Sequence, residues 1–133
     1  MHNAKTLSTS IRRPGHEVYN FVRNPENLPS WATGVGTNLR RDGSRWIIDM
    51  PDGPVEIRFV DRNDFGVLDH FVTTGDGHVF FNPMRVVDND VDSEIIFTVF
   101  QCPGVSDDQF IADAETVARD LQSLKALLEA QKE

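Results

Sequence analysis

The feature that most constrains the fold is a series of short apolar runs between residues 35 and 102, separated by closely spaced turn signals. The runs are Val35–Arg41, Ser44–Met50, Val55–Asp61, Gly66–Thr73, His78–Val87 and Glu94–Cys102. The turns between them are rich in Gly, Asn and Asp. Because a parallel pair of strands needs a crossover of about a dozen residues, such short connections predict antiparallel neighbours. Pro83 lies inside the fifth run and has no N–H to donate, so we expect a bulge or an unpaired edge there.

Helical patterns flank this series on both sides. A first strand is predicted at Lys5–Arg13, followed by a short helix at Pro14–Arg23 and a helical turn at Glu26–Trp31. Near the C-terminus, Ser106 and Gln109 form a capping pattern that predicts the start of a long helix. The apolar stripe of this helix consists of Phe110, Ala114, Val117, Leu121, Leu124 and Leu128. A sheet of about seven strands needs a covering layer, and we expect this stripe to supply it.

Length and charge limit the class of protein. The 133 residues carry 21 acidic and 13 basic side chains, for a formal charge of −8, and we expect one domain over residues 1–133. The excess of acidic over basic side chains argues against a nucleic-acid partner or an anionic membrane surface. The sequence contains no apolar stretch of about 18 residues, so we expect no membrane insertion and a cytoplasmic location. Cys102 is the only cysteine, which excludes an intramolecular disulfide.

The order of these elements resembles the helix-grip fold of the START-like (SRPBCC) superfamily. The segments that carry the resemblance are IRRPGHEVYNFVRNPENLPSWATGV, FGVLDHFV, NPMRVVDNDVDSEIIFTVFQCPG and DAETVARDLQSLKALLE. Together they extend over nearly the whole chain. The superfamily includes polyketide cyclases and dehydrases, Bet v 1-like ligand carriers and lipid-transfer domains. The resemblance therefore implies an α+β fold in which a bent antiparallel sheet of about seven strands wraps around the long C-terminal helix, with two short helices after the first strand.

The resemblance also implies a cavity between the sheet and the last helix. Trp31 would lie at its lid, and Phe110, Val117 and Leu121 would form one wall. Our leading hypothesis is a protein that binds a small hydrophobic or aromatic ligand there. The alternatives are an enzyme of the polyketide cyclase or dehydrase type, and an interaction module whose core is filled by side chains.

Asp69 and His70 are the main candidates for acid–base chemistry. Successive side chains of a strand point to opposite faces, so only one of the two can face a cavity. If Leu68 and Val72 line the interior, His70 lies there as a group that titrates near neutral pH. The opposite parity would place Asp69 inside as a buried carboxylate. We favour His70, and the sequence leaves both arrangements open.

Other candidate ligand-binding residues lie on the predicted strands. Arg85 stands among apolar residues and needs a partner; a three-residue loop at Gly75-Asp76-Gly77 would place it on the face of Asp69, and a two-residue loop on that of His70. We favour an outward Arg85. Asn82 and Thr98 occupy positions compatible with the interior of the cavity. Trp46 is expected to pack in the core beside the cavity.

We expect neither a metal nor a cofactor. The histidines are scattered, no cysteine cluster accompanies them, and the nucleotide-binding glycine motifs are missing from the sequence. Both faces of Glu94–Cys102 are apolar, which is unusual for a sheet with one face in water. We therefore expect a second copy of the chain to cover the outer face, which predicts a homodimer through sheet faces or edges.

Overall fold

The computed structural model describes residues 1–33, 35 and 38–131. Its helices are α1 (Gly15–Arg23), a 3-10 turn (Pro25–Asn27), α2 (Leu28–Trp31) and α3 (Asp107–Ala130). Its strands are β1 (Ala4–Ile11), β2 (Leu39–Asp42), β3 (Arg45–Met50), β4 (Gly53–Phe59), β5 (His70–Thr74), β6 (Val79–Asn82), β7 (Met84–Asn89) and β8 (Asp92–Phe100). The predicted order of one strand, two short helices, a series of strands and a long helix is confirmed.

The strands form a strongly bent antiparallel sheet with two parts. One part has the order β2-β3-β4-β5-β6 and the other β1-β8-β7. Backbone hydrogen bonds join the parts: the Leu68 N–H donates to the Met84 carbonyl (2.8 Å), and the Val86 N–H donates to the Gly66 carbonyl (2.9 Å). Residues 66–68 thus continue the β5–β6 hairpin along β7. The predicted α+β class, with a bent antiparallel sheet and a long C-terminal helix, is confirmed.

Pro83 divides the predicted run His78–Val87 into β6 and β7, so the interruption expected there is confirmed. The described residues form eight strands, where about seven were predicted. The predicted run Val35–Arg41 is shorter in the structure: β2 begins at Leu39, Val35 lies in a buried turn, and residues 36 and 37 lie outside the described residues.

Helix α3 packs along the smaller part of the sheet. Its cap is the Ser106 hydroxyl, which accepts a hydrogen bond from the Gln109 N–H (3.1 Å). Leu121, Leu124 and Leu128 are buried against β1, β8 and α2. The first half of the stripe is less covered, since Phe110 and Val117 are only partly buried. Among the described residues, no helix is long and apolar enough to cross a membrane.

Candidate functional site

Strand register decides which side chains of the larger sheet part face α3. His70 pairs with Phe59 on β4 and with Asn82 on β6, so these three side chains form one row on the inner face. The adjacent inner row consists of Trp46, Ile57, Val72 and Phe80. The expectation that His70 and Val72 share the inner face therefore agrees with the structure.

His70 lies in an apolar environment between two aromatic rings. Its exposed fraction is 7%. Its ring centroid is 4.9 Å from that of Phe59 and 5.7 Å from that of Phe97. Burial lowers the pKa of His70 from its ordinary value, because desolvation disfavours the charged imidazolium; the hydrogen bond to Leu68 and the charge of Asp69 oppose this effect with less weight. The ring is therefore neutral at physiological pH.

The hydrogen bonds of His70 determine which ring nitrogen is reactive. Nδ1 lies 3.1 Å from the Leu68 carbonyl oxygen. Since a carbonyl only accepts, Nδ1 carries the proton, and the neutral ring keeps its lone pair on Nε2. Nε2 has no partner within the described part of the chain. The site thus offers an acceptor, or a weak base, for which no described residue supplies a competing donor.

Asp69 points to the outer face of the sheet, as the alternation of side chains requires. Its Oδ1 accepts a hydrogen bond from the Met84 N–H (2.8 Å), and its Oδ2 lies 3.6 Å from Nη2 of Arg85. The side chain of Asp69 is 13% exposed and that of Arg85 is 55% exposed. The assignment of Asp69 as a cavity acid and of Arg85 as a cavity ligand is therefore wrong in placement. The turn at residues 75–77 is the three-residue alternative, and the outward Arg85 that we favoured is observed.

Thr98 also lies on the outer face. Its hydroxyl forms a 2.9 Å hydrogen bond with that of Thr6, the residue opposite it on β1. Thr98 belongs to the parity opposite to Phe97, so its expected place in the interior is wrong. Asn82, in contrast, stands beside His70 on the inner face.

The remaining candidates form the wall and the lid of the inner space. Leu121 is buried in the core, Val117 packs against it, and Phe110 is partly buried in the first turn of α3. Trp31 is 8% exposed on α2, and its indole Nε1 has no hydrogen-bond partner among the described residues. Trp46 packs against the core, with the Arg41 guanidinium 5.5 Å from the ring centroid.

An open cleft of about 640 Å³ lies at one end of this space. It is bounded by the β3–β4 turn, the β5–β6 turn and the loop between β8 and α3, and Phe80 forms its inner wall. Of the inner-face residues, Phe80 lines this cleft, and further apolar side chains of the same face are also only partly buried, namely Trp46, Val55 and Val72. An inner side chain that retains accessible surface borders a space large enough for water. The larger part of the sheet therefore does not close completely on α3.

Within the described ranges, no group of three or more His, Cys, Asp or Glu side chains could hold a metal ion. Cys102 is partly buried after the end of β8.

Comparison with known proteins gives structural relatives only. No protein-family model matches the sequence, and no curated protein matches it significantly. The dimeric Aha1 protein of Colwellia psychrerythraea superposes with a TM-score of 0.74 at 16% identity, over 98% of this chain and 99% of that chain. Ara h 8.0201, a Bet v 1-like protein, gives a TM-score of 0.67 at 8% identity, over 98% and 100%. DynU16, from the dynemicin biosynthetic locus, gives 0.70 at 17% identity, over 96% of this chain and 47% of its own.

The chain has a helix-grip fold of the START/SRPBCC type. At these identities the likeness establishes the fold alone. The inner site of this helix-grip chain contains residues that sequence reasoning missed, above all Phe59 and Phe97 beside the imidazole. Their signal was the two-residue period: each has the parity of the inner face of its strand, but only the register shows that both converge on His70.

Proposed function

We propose that the protein binds a small hydrophobic or aromatic ligand between the larger part of the sheet and the first half of α3. The observation that carries this proposal is the apolar inner face that remains partly accessible, from Trp46 across Val72 to Phe80. Small-molecule sites are concave, mostly apolar and equipped with a few polar groups, which matches an aromatic lining around His70 and Asn82. The site is proposed to work in the cytoplasm, as expected from the sequence.

The test uses 1-ethylnaphthalene, an uncharged aromatic probe, and follows the NMR signals of the Val72 and Val117 methyl groups. Binding is expected to shift both signals. Val117→Trp should fill the space and abolish the shift at Val72. The matched control is Val91→Trp, since Val91 is 71% exposed in the turn between β7 and β8. If the probe shifts neither valine, or binds both variants equally, the interior is not the binding site.

A second candidate function is proton transfer by His70, favoured by the unpaired Nε2 on a neutral, buried ring. Such a base could remove a proton from the carbon beside a ligand carbonyl, while the Asn82 amide polarises that carbonyl. We propose 2-acetonaphthone in D2O as the probe. Nε2 takes a methyl proton to give the enolate and the imidazolium, the imidazolium exchanges that proton for a deuteron from D2O, and the deuteron is returned to the enolate carbon. The expected result is accelerated deuteration that His70→Phe removes. Equal rates for the wild type and the variant would leave a carrier without catalysis.

We also propose that the chain forms a homodimer through its outer sheet face. Phe71 and Phe81 stack on this face with ring centroids 5.2 Å apart, and Val79 and Phe81 are 54% and 42% exposed. The Colwellia Aha1 protein of the same fold is described as a dimer. Light scattering after size exclusion should give about twice the 15.0 kDa of one chain, and Phe81→Lys should restore one chain's mass. A wild-type mass of one chain at micromolar concentration would contradict this.

A further inference from the structure

The bent sheet stops pairing at one defined point between β6 and β8. Met84 stands opposite Phe97, and one residue further the Thr98 N–H donates to the Pro83 carbonyl (3.0 Å). Pro83 has no N–H to return a second bond, so this pair keeps only one of its two hydrogen bonds. Beyond it, the ladder between the two strands ends. Proline thus weakens the pairing where the strands separate.

Continuing the same register would place Phe81 opposite Phe100 and Val79 opposite Cys102. Across the β5–β6 hairpin, the Thr74 N–H donates to the His78 carbonyl. Because peptide groups alternate along a strand, the even-numbered residues of β6 direct their N–H and C=O groups toward β5. The peptide groups of Val79 and Phe81 therefore face β8. At the end of β8, the Gln101 N–H donates to the Asn3 carbonyl, so the odd-numbered residues of β8 direct their N–H and C=O groups toward β1. The even-numbered Phe100 therefore directs its N–H and C=O groups toward β6.

These peptide groups have no hydrogen-bond partner within the described chain. They line the two sides of a gap in the sheet, called the split below, with Val79 and Phe81 on the β6 side and Phe100 on the β8 side. Unpaired strand edges bind further hydrogen-bonding partners readily. The split offers both donors and acceptors, which complements a head group that can also donate and accept, such as an amide or an alcohol.

The surroundings of the split favour an uncharged head group over an anion. The split adjoins the 640 Å³ cleft, whose wall includes Phe80, Asp52 and Asp76 but no Lys or Arg among the described residues. Hydrogen bonds from the Thr74 hydroxyl and the His78 N–H lower the pKa of Asp76, which therefore remains ionised. An anionic ligand would meet two carboxylates at the mouth, with no Lys or Arg among the described residues of its wall to compensate them.

We propose that the split between β6 and β8 is a polar subsite for the amide or hydroxyl head of an elongated, uncharged amphipathic ligand. The apolar body of that ligand lies on the inner face beside Phe80 and Val72. This inference rests on the proposed binding function and specifies its ligand class. It assigns recognition to backbone groups of Val79, Phe81 and Phe100 rather than to side chains.

The test compares three probes with one aromatic body: 1-naphthaleneacetamide, 1-naphthaleneacetate and 1-ethylnaphthalene. The amide is expected to bind at least tenfold more tightly than either of the others. Phe81→Pro removes one N–H of the split without removing a bond to β5, and Phe81→Ala removes the same side chain but keeps that N–H. We expect Phe81→Pro to lose the preference for the amide over 1-ethylnaphthalene and Phe81→Ala to retain it.

A measurement on the wild-type chain keeps the inference testable if Phe81→Pro does not fold. The amide protons of Phe81 and Phe100 should exchange rapidly with D2O in the free protein and slow down at least tenfold with 1-naphthaleneacetamide, but not with 1-ethylnaphthalene. Protection of these amides in the free protein, or equal affinities for the three probes, overturns the subsite. If 1-ethylnaphthalene itself does not bind, the proposed function fails instead.

Discussion

Gly66→Ala should destabilise the protein strongly, because Gly66 lies at the junction between the two parts of the sheet. Its φ is +70°, a left-handed conformation that costs a residue with a Cβ about 1 kcal/mol. A Cβ there would also lie well inside contact distance of the Val86 carbonyl oxygen, which is backbone and cannot rotate away. Moving the strands apart would weaken two hydrogen bonds, from Val86 to Gly66 and from Leu68 to Met84.

At about 1 kcal/mol for each weakened bond, the total loss of unfolding free energy is about 3 kcal/mol. For a chain of this size that corresponds to a fall in Tm of about 12 °C. Gly43→Ala is the matched control, since Gly43 has a φ of +63° but no atom of the described residues lies within 4 Å of an added Cβ. It should lose only about 1 kcal/mol. Urea unfolding measures both, and equal losses for the two variants would refute a steric role for the Val86 carbonyl.

Three further predictions concern single side chains. Burial disfavours protonation of His70 in the folded state, so the unfolded state binds more protons as pH falls below about 6.5, and the free energy of unfolding should decrease. The difference between the urea midpoints at pH 7.5 and pH 5.5 should therefore be smaller in His70→Phe than in the wild type. An unchanged difference would contradict this. Ser106→Ala removes the cap of α3 and should cost about 1 kcal/mol, whereas Ser106→Asp should restore most of it in the same unfolding assay. Arg85→Ala should change stability by less than about 0.5 kcal/mol, because its side chain is 55% exposed; a loss above 2 kcal/mol would show that its ion pair is structural.

The order of elements could be predicted from the sequence because each signal was local. The capping pattern at Ser106 fixed the start of α3, and Pro83 marked the interruption of its strand. The boundaries of the fourth run could not be predicted, because residues 66–68 pair with β7 through contacts distant in sequence. The pattern of apolar residues in 66–68 is the same whether the segment is part of a regular strand or an extension that precedes it.

The candidate site was predictable to the extent that side-chain alternation decides a face. If the β5–β6 hairpin turns through the three residues 75–77 rather than through two, His70 and Asn82 share one face while Asp69 and Arg85 share the other. The choice between loop lengths depends on tertiary packing, and so does the placement of Thr98. The aromatic rings around His70 come from β4 and β8, and only the assembled sheet brings them together.

The adjacent residues Asp69 and His70 act together although they face opposite sides of the sheet. Leu68 and Met84 stand opposite each other at the junction, and only one of the two ladder bonds expected between them forms. The Met84 N–H bonds the Asp69 carboxylate instead, and the Leu68 carbonyl faces His70 Nδ1. Each side chain thus satisfies one half of a missing backbone bond, and the carboxylate indirectly keeps the Leu68 carbonyl available to the imidazole.

Asp69→Ala tests this coupling. The Met84 N–H would lose its buried acceptor, which should cost about 2 kcal/mol, and would compete with His70 for the Leu68 carbonyl. The imidazole would then lose its preference for carrying the proton on Nδ1. Nitrogen NMR of the ring distinguishes the two tautomers directly: we expect mainly the Nδ1-protonated form in the wild type and a mixture in Asp69→Ala. Asp69→Asn retains an acceptor oxygen for Met84 and should keep the wild-type tautomer, so a mixture in both variants would assign the effect to the charge of Asp69 rather than to its hydrogen bond.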